Sequence, residues 1–204
     1  MPIDPKYAFL HVINDYRYLA LAARGWKLYG YGADAQDEKK ANELLPGIGV
    51  VLLDSVLLHS RALIEFYMAR SGQPRRGDIT DIRLSDFDGL AIDAALWKKI
   101  AAYKKGVEVH VLHITSWRDT AYRTGDTLHA RPDWDKEATP LVELIFDGLQ
   151  DVANKAAQAG SKWAKPLSDL HAASRSVLSG PSCDWPVDLA EKSDVTAYLV
   201  AHGL

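Results

Sequence analysis

Apolar residues recur at three- and four-residue steps through most of this chain, and that period predicts helices. Pro5 suits the first turn of a helix capped by Asp4. Tyr7, Leu10, His11, Asn14, Tyr18, Leu21 and Ala22 continue its spacing, so a helix is expected over about residues 5–27, stopping near Gly30 and Gly32. A charged patch follows at Asp37, Glu38, Lys39 and Lys40, and Pro46-Gly47 then breaks the backbone. From residue 48 to 70 the pattern is helical and apolar on nearly every side, which places that helix at the centre of a bundle.

Residues 71–89 are polar and rich in turn formers, with Gly72, Pro74, Gly77, Arg75, Arg76 and Arg83, and read as a long surface loop. Asp93 is placed to cap a short helix through Tyr103. The segment 106–115 is ambiguous: three valines alternating with Glu108 and His110 fit a strand, yet no partner strand appears elsewhere, which favours a helix. A loop over 120–138 holds Gly125, Pro132 and Trp134, after which Thr139 is the expected cap and Pro140 the first helical residue. Leu141, Leu144, Ile145, Leu149 and Val152 line one face of that helix, which ends near Gly160. Further helices are expected over about 165–178, stopping before Gly180-Pro181, and over 193–202, closed by Gly203. The reading is an all-α bundle of five to seven helices in one domain, 1–204, with a core bundle over 5–178 and a tail over 179–204.

Composition narrows the class. At 204 residues, 48% hydrophobic and 25% charged, the chain is neither disordered nor fibrous, and it can bury a core without disulfides or a structural metal. Its single cysteine, Cys183, permits no intrachain bridge and lies by a proline in a loop with no histidine beside it, the setting of an ordinary exposed thiol. A net charge of -3 argues against a broad nucleic-acid-coating surface while leaving room for a local basic groove. The N-terminus lacks the charged-then-apolar layout of a secretory peptide. The longest apolar stretch, 48–58, is interrupted by Asp54 and is well short of the roughly 20 residues that cross a bilayer. A cytoplasmic protein without a membrane partner is the expectation. The six tryptophans are scattered, as core anchors are, and no glycine-rich phosphate loop or serine elbow is present.

Candidate chemistry sits at two places. On the central helix, Arg61 and Glu65 fall within about 20° of Asp54, so three charges share a stripe flanked by Val50, Leu57, Leu58 and Met68. Such a stripe is either a buried, paired network or a solvated face carrying a surface ion pair. The second place is His110 and His113, which as helical residues lie about 60° apart on a face shared with Ile114 and Trp117. These histidines read as core residues with local hydrogen bonds, as general acid or base, or as a metal pair completed by Glu65 or Asp54 from the facing helix. Arg118 follows Trp117 and brings a planar cation suited to phosphate. The expected site is therefore Arg61, Glu65, His110, His113 and Arg118, with no cofactor and no assigned metal.

The run Ser60-Arg61-Ala62-Leu63-Ile64-Glu65-Phe66, followed about fifty residues later by His113-Ile114-Thr115-Ser116-Trp117-Arg118, resembles a group of bacterial proteins with an R-x-x-x-E-F … H-[LI]-T-x-x-R pattern. Their layout is similar to HEPN domains, helical bundles that include RNA-cleaving toxins and defence proteins. The resemblance covers about residues 48–155. It implies a homodimer in which an Arg and a His on one helix of each subunit build a composite RNase site. Here Lys104 and Lys105 stand ahead of the histidines where that Arg is implied. It further implies that His113 or His110 moves a proton to or from an RNA 2′-hydroxyl while Arg61 or Arg118 stabilises the phosphorane. The alternative is a non-catalytic helical interaction module whose Arg, Glu and His cluster is structural, with a metal-binding bundle third.

Overall fold

The computed structural model describes residues 4–29, 39–40, 43, 47–68, 82–87, 89–112 and 133–204, and none of these is in a strand. Helix α1 spans Pro5–Tyr29, α2 Ile48–Tyr67, α3 Ala94–Ala102, α4 Lys104–Leu112, α5 Trp134–Gln158, α6 Ala164–Ser179 and α7 Lys192–Ala201, with short 3-10 turns at Leu84–Asp86 and Val187–Leu189. Two of the caps foreseen from sequence are in place. An Asp4 carboxylate oxygen accepts the Lys6 amide at 2.9 Å, and that of Asp93 accepts the amides of Ala95 and Leu96 at 2.9 and 3.0 Å. Gly203, at φ 76°, closes α7 in the left-handed conformation that any other residue adopts at a cost.

Helices α1 and α2 pack antiparallel along most of their length, Gly25 lying against Leu52 and Asp15 meeting His59. Helix α5 runs parallel to α2: Val56 shares a crevice with Ala138 and Val142, and further along Tyr67 donates its hydroxyl to the Ile145 carbonyl at 2.9 Å. Tyr16 of α1 joins them by hydrogen-bonding Tyr67, so two fully buried phenols tie three helices together. Burial pushes both phenols far above the ordinary tyrosine range. Helix α6 folds back on α5 and covers the other side of α1.

One arginine anchors the tail. The Arg24 guanidinium donates through one nitrogen to the carbonyls of Val177, Gly180 and Ser182 at 2.8, 2.7 and 2.8 Å. It thereby gathers the unpaired carbonyls at the C-terminal end of α6, where the helix dipole favours a cation. Beyond it, Leu189, Val195, Leu199 and Leu204 are buried in the same apolar cluster as the bundle.

Three expectations need correction. Leu84 and Phe87, in the stretch read as a surface loop, are buried, and the Phe87 ring meets Trp163 edge-on at 4.9 Å. Helix α5 begins at Trp134 rather than at Pro140, and Thr139 is not its cap. Trp134 and Ala138 bury inward while Lys136 and Pro140 are exposed, so the carbonyl that proline leaves unbonded lies on the wet side. Helix α2 ends at Tyr67, three residues before the expected 70. The ambiguous segment is helical over Lys104–Leu112, and its remainder, 113–115, lies outside the described residues.

Candidate functional site

Helices α2 and α4 run antiparallel. Lys104, at the start of α4, reaches the Met68 sulfur at 3.1 Å, and His110, near its end, reaches back to Asp54. That last contact turns the charged stripe of α2 toward α4. His110 Nε2 lies 2.9 Å from Asp54 Oδ1, with the side chains 15% and 27% exposed. An ionised carboxylate only accepts, so Nε2 carries the proton and Nδ1 of the neutral ring keeps its lone pair. The Trp134 ring stands edge-on to the imidazole at 6.2 Å and 82°. Trp134 is buried and its indole nitrogen has no hydrogen-bond partner among the described residues.

Two turns along α2, Arg61 Nε and Glu65 Oε1 are 3.4 Å apart, each side chain 31% exposed. This pair is neither the buried network nor the freely solvated face of the two sequence readings: the heads pair with each other at the rim of the α2–α4 contact. The Arg61 Nε atom itself is shielded from solvent and lacks a hydrogen bond among the described residues. Of the lysines ahead of the histidines, Lys104 pairs with Glu108 at 3.4 Å and Lys105 is exposed.

Asp54, Arg61, Glu65 and His110 therefore share one seam, while His113 and Arg118 lie outside the described residues. Among the described residues no three His, Cys, Asp or Glu side chains come together to hold a metal ion, and the His110–His113 pair of the metal reading includes a residue outside them. The crevice among Trp26, Val56, Ala138 and Val142 is too tight for a water molecule. Cys183 is exposed. No described helix is long and apolar enough to cross a membrane.

A second acid–imidazole pair escaped the sequence reading. His59, also on α2, donates Nδ1–H to Asp15 of α1 at 2.9 Å, and its ring stacks on Tyr18 at 5.4 Å. His59 is about 140° around the helix from Asp54, so α2 gives a carboxylate to α4 on one flank and an imidazole to α1 on the other. A separation of 44 residues between Asp15 and His59 left no local spacing to detect.

The comparisons with known proteins add nothing to this geometry: no family model, no curated protein and no solved structure matches the chain.

Proposed function

We propose that the protein is an RNA-associated helical bundle of the HEPN-like toxin or defence kind, in which His110 is the proton-transfer group and Arg61 supplies a cation for phosphate. The observation that carries this reading is the 2.9 Å bond from His110 Nε2 to Asp54. It orients the ring, stabilises the imidazolium that forms when Nδ1 takes a proton, and leaves that nitrogen as the base. Arg61 lies about 10 Å further along α2, within the span of a long side chain and a phosphodiester. In the reaction the base would remove the 2′-hydroxyl proton of RNA. The 2′ oxygen would displace the 5′ oxygen at phosphorus, and the departing oxygen would take a proton from water, giving a 2′,3′-cyclic phosphate and a 5′-hydroxyl; the hydroxide left behind is neutralised by the proton held on His110.

The test is incubation of the full chain with single-stranded RNA between pH 5.5 and 8, followed by separation of the products. Wild type is expected to cleave, and His110→Gln to lose about a hundredfold or more in rate with an unchanged helical spectrum. Wild-type protein that neither cleaves nor retains RNA rejects the reading.

A second reading, a non-catalytic interaction module, is favoured by one feature: Asp54 with His110 and Arg61 with Glu65 each close on a partner within the cluster. Loss of stability in His110→Ala, in a protein inert toward RNA, is its signature.

A further inference from the structure

Helices α3 and α4 join through Tyr103, whose φ of -80° and ψ of -16° keep the helical turn, so one outer stripe runs over both. Its exposed members are Ala94, Ala95, Lys98, Lys99, Ala102 and Lys105, while Ile100 and Val107 are buried on the inner side. Residues 94–112 hold four lysines and one glutamate, a net of +3, in a chain whose net charge is -3. Lys98, Lys99 and Lys105 form no ion pair among the described residues, because the acids around them are engaged elsewhere. Asp93 accepts the amides of Ala95 and Leu96, Asp151 meets Lys155 at 3.0 Å, and Glu108 meets Lys104 at 3.4 Å. The cations of α1 are instead committed: Arg17 and Arg24 donate to backbone carbonyls, and Lys27 faces Glu143.

We propose that this lysine stripe of α3 and α4 is a docking track for the phosphate backbone of single-stranded RNA, outside the acid–imidazole site and leading to it. The choice of RNA as the strand rests on the reading above; the choice of a polyanion rests on the charge. Lys98, Lys99 and Lys105 stand within about 10 Å of helix, a line of like charges that repel one another until a chain of anions neutralises them. Lysine is a mobile point charge, so such a track holds phosphates without reading bases. Alanine at 94, 95 and 102 leaves the helix surface low between the cations, where a backbone can lie close. A membrane surface fits less well, because amphipathic binding needs large apolar side chains to insert and the stripe exposes only alanines beside its lysines. Lys105 precedes His110 by five residues, about 7.5 Å along α4, so a strand held on the stripe is brought to the end of the helix that carries the imidazole.

Fluorescence anisotropy of a labelled RNA strand of about a dozen nucleotides, titrated with the full chain over a range of salt concentrations, tests it. Each of Lys98→Gln, Lys99→Gln and Lys105→Gln is expected to flatten the slope of log affinity against log salt by about 0.7. The triple variant should flatten it by about 2 and lose on the order of a hundredfold in affinity at 0.1 M salt, with an unchanged melting temperature. Lys162→Gln, an equal loss of charge at another exposed position, should leave slope and affinity as in wild type. A triple variant that binds with wild-type slope and affinity overturns the proposal, as does an equal loss in Lys162→Gln. Lysine-dependent binding of poly-glutamate or of phosphatidylserine vesicles as tight as that of RNA overturns it too. Wild-type cleavage of a dinucleotide, too short to lie on the stripe, separates the two readings. Cleavage together with lysine-independent strand binding sinks the track and leaves the reaction standing, whereas a wild type that neither cleaves nor binds sinks both.

Discussion

Gly148 leaves the space that the Tyr67 ring occupies: a Cβ at position 148 would stand 2.9 Å from Tyr67 Cζ and 3.0 Å from its hydroxyl oxygen. The same atom would lie 3.1 Å from Ile100 Cδ1, so α5 meets α2 and α3 at one backbone position. This contact lets Tyr67 reach the Ile145 carbonyl and Tyr16 reach Tyr67, which sets how deep α5 sits against the helix that carries the candidate site.

Gly148→Ala should accordingly destabilise the fold by about 1 to 3 kcal/mol, because a fully buried phenol pinned by two hydrogen bonds cannot move aside. Urea unfolding measures this. Alanine is the better helix former, so a neutral or stabilised variant would mean that the ring has room.

Arg24→Met keeps the stem of the side chain and removes the donors. The carbonyls of Val177 and Gly180 lose a charged partner in a partly buried place, and stability should fall by about 2 to 3 kcal/mol. Hydrogen exchange should quicken first at the end of α6 and in the residues after it. Uniform loosening across the whole chain would argue against a local clamp.

The two charge pairs of α2 differ in how they should respond. Arg61→Ala breaks an i,i+4 pair at a partly exposed rim and should cost under about 1 kcal/mol. The more buried Asp54 and His110 should show a coupling of about 0.5 to 3 kcal/mol in a double-mutant cycle with Asn and Gln. A larger loss for Arg61→Ala than for His110→Gln would reverse this ordering.

His171 adds a pH dependence whose sign is fixed. Burial holds its imidazole below the ordinary histidine value, and Arg175, whose Nε donates to His171 Nε2 at 3.5 Å, pushes the same way. The unfolded chain, titrating near 6.5, then binds a proton more readily than the folded one. The contribution is complete above about pH 6.5 and is lost as pH falls through the lower folded value. Melting temperatures from pH 7.5 down to 5 should drop more steeply for wild type than for His171→Gln. Parallel curves would exclude this histidine.

Some of this was legible in the residues themselves. Asp4 and Asp93 announce helix starts because capping is a contact between neighbours, and the apolar run of α2 marks a central helix because burial on most sides needs no knowledge of which side faces what. Pro140 misled because proline is equally compatible with a first turn and with an exposed interior position, and Trp134 and Ala138 settle the matter only by what they pack against. Leu84 and Phe87 are too short an apolar signal to stand out from the polar stretch around them.

The helical class, most of the helix limits and the stripe shared by Asp54, Arg61 and Glu65 can be read along the chain, since each depends on residues within a turn or two. That Asp54 meets His110, Asp15 meets His59, Arg24 closes α6 and Gly148 admits Tyr67 emerges in the packed bundle alone. Those partners lie 56, 44, about 153 and 81 positions apart. Each pairing follows from the order in which helices lie around α2, and that order is set by the fit of whole apolar faces.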